Sequence, residues 1–442
     1  MKKRMGIGRV RNKSWHTGEG LRQKNRQKGK GWLALFAVVS LIQCGLIQEI
    51  AVWARPGLVQ EEERYLISEQ SVRDADPPEE AKLYAKAAAL LDGDTGRVLY
   101  GKNADLPLPM ASTTKIMTCI IALEYGNLDD VYTVSSYAAS MPQVKAGYRV
   151  QEQYRLEDLL YALMLESHND AAVVIAEGVA GSVEGFAALM NRKAEELGCE
   201  ATHFVTPNGL DADGHQTTAA ELGRIAAYAL KNETFCQIIQ TRNHIYTDVN
   251  GQNSRTIANK NAFLDQYEGC IGIKTGYTGK AGYCYVGCAR REGVTLIGVV
   301  LASGWPPHKT YKWSDCRQLL DYGFAAFEKR QIVQPQYHIR TLPVENGIGD
   351  QVTVSMPGEL TLLVSGKEQI SLRYDLPEVL EAPVQKGEEV GTASLFIDEE
   401  LYGTFPVVTD EGVEEFTFVY ALDRVLDLFL GMETGSESIK NK

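Results

Sequence analysis

The spacing of apolar residues changes along the chain and predicts the order of its secondary structure. Two apolar runs, 87–91 and 97–100, flank an Asp-Gly-Asp-Thr-Gly turn and are typical of paired strands. Helical spacing dominates the middle of the chain, and strand spacing returns beyond it. Predicted helices cover 116–123, 156–180, 183–197, 219–230 and 317–327, and predicted strands cover 269–276, 283–289 and 296–301. Strands from both ends of one segment, enclosing a helical insertion, predict an α/β domain.

From about residue 331 the pattern changes to short alternating runs separated by turn residues. The runs cover 352–354, 360–364, 370–372, 393–397 and 403–407. They predict a small all-β domain over 331–420. The tail, 421–442, has an apolar helical stripe formed by Leu422, Val425, Leu426 and Phe429. Such an amphipathic helix either makes peripheral contact with a membrane or packs on the β domain.

The first 54 residues differ in charge from the rest of the chain. Eleven Lys/Arg and two acidic residues give this segment a formal charge of +9, while the whole chain carries −12, so the remainder carries −21. A body this acidic argues against nucleic acid as a partner. An uncharged stretch, 31–48, follows the basic one, so 1–54 is interpreted as a signal peptide, with an uncleaved N-terminal anchor as the alternative. We expect an exported protein at the outer face of the cytoplasmic membrane or in the cell wall, with the acidic segment 55–82 as a spacer.

The cysteines and histidines do not follow a disulfide or metal-site pattern. Cys44 falls in the leader, and the other seven cysteines are scattered, odd in number and without a Cys-x-x-Cys pair. We interpret them as small buried apolar side chains. His203 and His215 have no acids or cysteines at ligand spacing beside them, so structural hydrogen bonding is the preferred interpretation and no metal is expected.

The first candidate for chemistry is Ser112-Thr113-Thr114-Lys115, at the start of a predicted helix. A spacing of three residues on a helix puts Ser112 and Lys115 on one face. A serine hydroxyl becomes nucleophilic when a base takes its proton, and a neutral lysine is such a base. Lowering a lysine pKa from about 10.4 to about 7–8 costs about 3–5 kcal/mol, which burial, a helix N-terminus and a second cation supply together.

Two further motifs follow along the chain. Ser167-His168-Asn169 interrupts an apolar helical region, which indicates either a buried turn or a proton relay with an amide-binding group. Lys274-Thr275-Gly276 follows the apolar run 271–273 at a predicted strand. A cation there can bind a carboxylate and lower the pKa of a nearby lysine. Gly276 would let a substrate backbone approach the strand.

The three motifs, taken together and in this order, resemble one enzyme family. Residues 108–118, Leu-Pro-Met-Ala-Ser-Thr-Thr-Lys-Ile-Met-Thr, are similar to the nucleophile segment of the D-alanyl-D-alanine carboxypeptidases, the low-molecular-mass penicillin-binding proteins. Segments 169–182, 203–215 and 272–283 also resemble that family. The resemblance covers about 83–330 and implies a β-lactamase/transpeptidase-like antiparallel sheet flanked by helices. The β domain and the tail resemble the family's second domain and membrane-binding tail.

The resemblance implies the catalytic roles. Ser112 would form the acyl-enzyme and Lys115 would be its general base, while Ser167 and Asn169 would complete the proton network. His168 stands at the variable middle position of its motif. We expect His168 to be a satisfied polar neighbour without a catalytic role.

The resemblance also implies how a substrate is held. Lys274 and Thr275 would bind its terminal carboxylate, and the backbone N–H groups of Ser112 and Tyr277 would form the oxyanion hole. Lys312 stands where many members carry arginine. A lysine there keeps the charge of a carboxylate clamp and loses the bidentate fork.

The implied function is removal of the terminal D-alanine from peptidoglycan stem pentapeptides without a cofactor, with β-lactams as covalent inhibitors. A serine β-lactamase is one alternative, although the Glu-x-x-Leu-Asn run of class A enzymes is missing. A D,D-endopeptidase of the same fold is another. The third alternative is an inactive wall-binding scaffold, which the complete motif set argues against.

Overall fold

The computed structural model describes residues 58–65 and 75–430. The predicted leader, 1–54, and the end of the tail, 431–442, lie outside the described residues. The helices are α1 (Lys115–Tyr125), α2 (Ser136–Ala139), α3 (Leu156–Leu165), α4 (Asn169–Ala180), α5 (Val183–Glu196), α6 (Ala219–Ala229), α7 (Glu233–Gln240), α8 (Phe263–Gln266), α9 (Tyr311–Ala326) and α10 (Phe418–Leu430). Two 3-10 turns, Glu80–Lys82 and Ala111–Thr114, accompany them.

Most of the strands fall in two groups, separated by the helical middle of the chain. The strands are β1 (Leu58–Tyr65), β2 (Ala87–Asp92), β3 (Val98–Lys102), β4 (Val131–Thr133), β5 (Gln153–Arg155), β6 (Asn243–Thr247), β7 (Ser254–Ala258), β8 (Cys270–Thr278), β9 (Gly282–Arg291), β10 (Val294–Leu301), β11 (Phe327–Val333), β12 (Tyr337–Glu345), β13 (Gln351–Met356), β14 (Leu360–Ser365), β15 (Ile370–Pro377), β16 (Leu380–Glu381), β17 (Glu389–Ile397) and β18 (Glu400–Thr409).

The first domain is built on a five-stranded antiparallel sheet in the order β3-β2-β10-β9-β8. Strands β2 and β10 are buried along their whole length, because helices cover both faces of the sheet. On one face Leu319 and Leu320 of α9 join the core with Leu296. On the other face Leu91 and Ile297 pack against the helical middle of the chain. Strands from both ends of the segment therefore complete one sheet, which confirms the predicted α/β fold with a helical insertion.

The helical region breaks where the sequence predicts an interruption. Helix α3 ends at Leu165 and α4 begins at Asn169, and Ser167 between them has a positive φ of 66°. The buried Asp170 carboxylate accepts hydrogen bonds from the backbone N–H groups of Ala146 and Gly147, at 2.9 and 2.8 Å. The start of α4 is therefore tied to the loop before β5, which orients the residues beside it.

The second domain is all β, as predicted. Its main sheet runs β1-β15-β17-β18-β13-β12-β16, and β11 pairs with β14 beside it. Burial alternates along the end of β17, where Ala393 and Leu395 face the core, because a sheet with one covered face buries every second residue. The Arg97 guanidinium on β2–β3 of the first domain binds Glu368 at 2.5 Å and also the Leu363 carbonyl oxygen. This contact joins the two domains.

The structure corrects several predicted boundaries. The segment 55–82 is not only a spacer, because Leu58–Tyr65 forms β1 along the edge strand β15. Strand pairing uses backbone groups, so a run rich in glutamate joins a sheet edge without an apolar pattern. The second domain begins with β11 at Phe327 instead of residue 331. The closing helix of the first domain starts at Tyr311 instead of 317, and the terminal helix starts at Phe418 instead of 421.

The cysteines of the described residues form no disulfides, and the helices of those residues are short or polar. All seven cysteines of the described part are free, and five of them are buried, as expected for small apolar side chains; Cys236 and Cys270 are half-buried. Within the described ranges, no single helix has the length and hydropathy to cross a membrane, and only the bent pair α4–α5 meets that test together.

Candidate active site

Ser112 lies in a tightly enclosed turn at the start of a helix. The 3-10 turn runs directly into α1, and its buried residue Ala111 has a φ of +48°, a conformation that L residues rarely adopt. A Cβ at Gly209 would lie 2.0 Å from the Ala111 carbonyl oxygen, and a Cβ at Gly276 would lie 2.9 Å from the Ser112 nitrogen. The nucleophile turn is therefore held between two backbone segments that only glycine allows this close.

The Lys115 amine is completely buried and touches three oxygen atoms. Its Nζ lies 3.0 Å from Ser112 Oγ and 2.9 Å from Asn169 Oδ1, and it is also hydrogen bonded to the Asn208 carbonyl oxygen. The Asn169 and Asn208 oxygens can only accept hydrogen bonds. A neutral amine has two N–H groups and one lone pair, so these two acceptors take the N–H groups. The lone pair is then directed at the Ser112 hydroxyl, which is the geometry of a general base.

Electrostatics favour the neutral form of Lys115. Burial lowers its pKa well below the ordinary value of 10.5, and the positive charge of Lys274 lowers it further, while Asp170 opposes both effects. Burial also lowers the pKa of Lys274, to about 7. Two buried lysines therefore occupy one site, and each is much less basic than a surface lysine.

The interrupted helix supplies Asn169 to the lysine, as the sequence predicts. Asn169 also donates through Nδ2 to the Pro142 carbonyl oxygen at 3.2 Å, which fixes its amide orientation. Ser167 is half-buried, and its hydroxyl has no hydrogen-bond partner among the described residues. The buried His168 pairs through Nε2 with Glu166 at 3.2 Å, but its Nδ1 has no partner in the described part of the chain. His168 was expected to have its hydrogen-bonding groups paired, but only one of its two ring nitrogens has a partner among the described residues.

The edge strand β8 forms the opposite side of the site. Lys274 is buried and donates to the Thr275 carbonyl oxygen at 3.1 Å. Thr275 is half-buried, and the Tyr277 side chain is 43% exposed. Because β8 is the last strand of its sheet, its outer backbone groups are available for an extended ligand. The Ser112 N–H also has no acceptor within the described ranges.

Lys312 does not join these groups. Its ammonium donates to the Lys309 carbonyl oxygen at 2.7 Å and lies over the rings of Tyr283 and Trp313, each 4.6 Å from the ring centre. Burial and the charge of Lys309 lower its pKa to about 8. The Tyr283 ring in turn contacts that of Tyr277. Among the described residues, the contacts of the Lys312 ammonium are with Lys309, Tyr283 and Trp313, and not with Ser112, Lys115 or Lys274.

The contribution of Asn208 was not predicted, although Pro-Asn-Gly-Leu was part of the family-like sequence. Its role comes from the backbone carbonyl, which every residue has, so only the closeness of Gly209 to the nucleophile turn identifies it. His215 makes structural hydrogen bonds, as expected. No group of three or more His, Cys, Asp or Glu side chains in the described part of the chain is arranged to hold a metal ion.

Two family models match this chain, one in each domain. Residues 72–304 match the family model described as D-alanyl-D-alanine carboxypeptidase. Residues 327–415 match the model described as the C-terminal domain of penicillin-binding protein 5. Residues 305–326, which include α9, lie between the two matches, and the second match begins with β11 at the start of the β domain.

Individual relatives agree over both domains. D-alanyl-D-alanine carboxypeptidase DacF of Bacillus subtilis is 31% identical over 350 residues, which is 77% of this chain and 89% of the relative. Carboxypeptidase DacC of Escherichia coli is 31% identical over 76% of this chain and 85% of the relative. The crystal structure of penicillin-binding protein 5 from Haemophilus influenzae aligns with a TM-score of 0.64 at 26% identity, over 77% of this chain and 100% of that chain. The chain belongs to the D-alanyl-D-alanine carboxypeptidase family of low-molecular-mass penicillin-binding proteins.

Proposed function

We propose that Ser112 carries out the family's reaction through an acyl-enzyme. The Ser112 oxygen attacks the carbonyl carbon of the penultimate D-alanine, and Lys115 takes the hydroxyl proton. The C–N bond to the terminal D-alanine then breaks, and its amine leaves with a proton from the Lys115 ammonium. Water hydrolyses the ester and restores Ser112. The observation that carries the proposal is the buried Lys115 amine, whose two amide acceptors leave its lone pair for Ser112.

The substrate would lie along the edge of β8. Its terminal carboxylate would meet the Lys274 ammonium and the Thr275 hydroxyl, and its reacting carbonyl oxygen would accept from the N–H groups of Ser112 and Tyr277. The close packing of Gly276 on Ser112 supports this position, because a side chain there would displace the strand from the nucleophile. Lys312 would add positive potential from behind Tyr283 instead of a direct clamp.

Ser167 would act as a proton carrier between Lys115 and the leaving amine. The Ser167 hydroxyl has no hydrogen-bond partner among the described residues. Ser167 lies two residues before Asn169, which begins α4 and accepts a hydrogen bond from Lys115. The substitution S167A is expected to slow both acylation and deacylation by about 10²-fold, within the range of positioned acid–base groups.

The activity is tested with a defined stem pentapeptide, a cross-linked dimer and a penicillin. Wild type should release free D-alanine from the pentapeptide and form a stable penicilloyl adduct, and S112A should do neither. Fast penicillin turnover would support a β-lactamase instead. Cleavage of the dimer in preference to the pentapeptide would support a D,D-endopeptidase, and a wild type that releases nothing would support the scaffold.

We further propose that the protein is exported by its basic and apolar leader and acts at the wall. The net charge of residues 55–442 does not indicate a compartment. The basic and then apolar sequence of residues 1–54 is therefore the observation that supports export. Fusing residues 1–60 to an enzyme that is active only after export tests it. An inactive fusion, in cells where a known leader gives activity, would overturn it.

The terminal helix α10 is proposed to lie on a membrane surface. Several of its apolar side chains are strongly exposed: Phe418, Leu428 and Phe429 are 81%, 83% and 86% exposed, and Leu422, Val425 and Leu426 are about half exposed. Exposed aromatic and aliphatic residues in one helix are typical of interfacial binding. We expect a protein of residues 55–442 to float with zwitterionic lipid vesicles, and the F429D substitution to abolish flotation. D423N is the matched control on the polar face, and flotation by F429D equal to wild type would reject the proposal.

A further inference from the structure

The turn 207–209 provides the acceptor that orients Lys115. The Asn208 carbonyl oxygen is hydrogen bonded to Lys115 Nζ and lies 3.5 Å from Ser112 Oγ. Gly209, with a φ of +80°, places this turn against the Ala111 carbonyl. A shift of the turn would therefore move one of the two acceptors that keep the amine lone pair on Ser112.

Three buried side chains fasten this turn to the nucleophile helix. Thr118 Oγ1 donates to the Pro207 carbonyl oxygen at 2.6 Å. Thr114 Oγ1 donates to the Ala111 carbonyl oxygen at 2.8 Å, and His215 Nε2 lies 2.8 Å from the same hydroxyl. The two threonines are fully buried, and His215 is 4% exposed. The nucleophile turn and the segment that carries Asn208 are therefore linked by side chains inside the protein.

The hydrogen bonds define which nitrogen of His215 carries the proton. Its Nδ1 accepts from the Val205 backbone N–H at 3.0 Å, so the proton is on Nε2 and is donated to Thr114. Burial lowers the pKa of His215 to about 4, with His203 and Lys115 acting in the same direction and Asp211 against them. His215 is therefore neutral over the working pH range and acts as a fixed donor.

We propose that His215 and Thr114 are positioning residues for acylation, whose link holds the Asn208 carbonyl on Lys115. The proposal rests on the general-base role proposed above for Lys115. Neither residue touches the substrate or exchanges a proton during the reaction. Loss of the link would let the turn move and would misdirect the amine without removing any reacting group.

Two amide substitutions separate the functions of the two histidine nitrogens. The side chain of H215Q reaches the Nε2 position and keeps a donor for Thr114. The side chain of H215N reaches only the Nδ1 position, so it keeps the acceptor for Val205 and loses the link. T114V removes the hydroxyl with little change in volume, and T114S restores it. H203N changes an exposed histidine of the same segment and is the matched control.

The experiment measures the second-order rate of acylation by a fluorescent penicillin from pH 5 to 10, with melting temperatures of the same samples. We expect H215N and T114V each to lower the plateau rate by about 10–100-fold, the effect of a misplaced reacting group. H215Q and T114S should recover most of this loss, and H203N should match wild type. The double variant H215N/T114V should be no slower than the slower single variant, because both break one link.

The acid limb of the pH profile gives a readout that a purely structural role would not move. A carbonyl acceptor favours the ammonium form of Lys115, so a displaced Asn208 carbonyl lowers the lysine pKa and moves the limb to lower pH. The charges that face Lys115, Lys274 and Asp170, are unchanged in these variants. Equal rates with an unshifted limb in T114V and H215N would overturn the proposal, as would T114S as slow as T114V, or additive losses. Failure of the base mechanism itself would appear separately, as wild-type acylation that does not depend on Lys115.

Discussion

The two domains differ in what they bury. The first domain buries charged side chains beside apolar ones, among them Lys115, Asp170, Lys274 and Asp315. In the second domain, the buried polar side chains of the described residues are Ser355, Ser365, Ser371 and Thr409. Its core is otherwise apolar, with Tyr374 among aliphatic side chains, and buried positions alternate along strands such as β17. The contrast separates a domain that buries ionisable side chains from one whose core is almost entirely apolar.

The charges of the first domain are themselves of two kinds. Asp315 accepts from the N–H groups of Tyr84 and Ala85 and from the Ser303 hydroxyl, so its burial is compensated by hydrogen bonds. Lys115 and Lys274 are hydrogen bonded to uncharged oxygens, and both have lowered pKa values. Burying an amine without a carboxylate partner reduces stability, and in return lowers the pKa of the amine.

Replacing Lys115 with methionine has the largest expected effect. Met keeps an unbranched chain and removes the amine, so acylation by a penicillin should fall by about 10³-fold or more. The melting temperature should stay equal or rise, because a group that is neutral when folded and charged when unfolded opposes folding. Lys280→Met, on an exposed loop beside β8, is the control and should leave both unchanged. A K115M protein that unfolds well below wild type would contradict the contrast between the domains.

Truncating Leu395 to alanine should have the opposite signature. This fully buried residue of β17 lies in the core of the second domain, so its loss should lower the free energy of unfolding by about 2–5 kcal/mol. The penicillin acylation rate of the folded protein should stay within about twofold of wild type. Denaturant unfolding and acylation kinetics measure both, with the exposed Leu401→Ala as control, expected within about 0.5 kcal/mol. Loss of acylation in folded L395A would mean that the domains are not independent.

Replacing Lys274 with methionine changes binding, pH profile and stability together. Peptide cleavage, as kcat/KM, should fall by about 10²-fold through loss of the carboxylate partner. Without the Lys274 charge the pKa of Lys115 rises, so the acid limb of acylation moves to higher pH. The folded-state pKa of Lys274, about 7, lies below the ordinary 10.5, so wild-type stability should rise from pH 7 to 10 as the folded protein sheds a proton that the unfolded chain keeps. K274M should lose this part of the slope, and an unchanged slope would contradict the assigned pKa.

The smallest effect is expected at the contact between the domains. Arg97 and Glu368 are 17% and 12% exposed, so their ion pair is partly shielded from water. A double-mutant cycle with R97A and E368A should give a coupling of about 1 kcal/mol in the free energy of unfolding. Acylation should not change. A coupling near zero would mean that the domains are joined mainly by other contacts, among them the Lys329–Asp94 ion pair and the packing of Leu363 beside α9.

The sequence predicted the parts of the site that depend on side-chain identity. Ser112 and Lys115 lie on one turn, and Asn169 reaches them, because each has a functional group that marks it in the sequence. The Asn208 carbonyl could not be identified this way, since any residue provides one. The hairpin β6–β7 and helix α7 were missed because they are short. Each strand of the hairpin has five residues, and α7 has eight, although its buried Phe235, Ile238 and Ile239 follow helical spacing.

Strand β1 was missed for a related physical reason. Its pairing with β15 depends on backbone groups, while its glutamates match the composition of a linker. Lys312 shows a second limit of sequence-based prediction. Its charge suggested contact with a substrate carboxylate, but in the structure its ammonium contacts the Lys309 carbonyl and the rings of Tyr283 and Trp313. The type of a side chain therefore predicts its chemistry better than it predicts which groups the side chain contacts in the fold.

The pairing of Leu58–Tyr65 with Ile370–Pro377 also determines where a truncated gene can begin. An expression clone that starts at residue 75 retains all of the first domain but uncovers the β15 backbone. An uncovered strand edge recruits strands from other molecules and favours aggregation. A clone that starts before residue 58 keeps that edge occupied by its own chain. Proteolysis between the two positions would have the same result. Processing of the N-terminus therefore affects the solubility of the second domain, whose strand β15 lies more than 300 residues further along the chain.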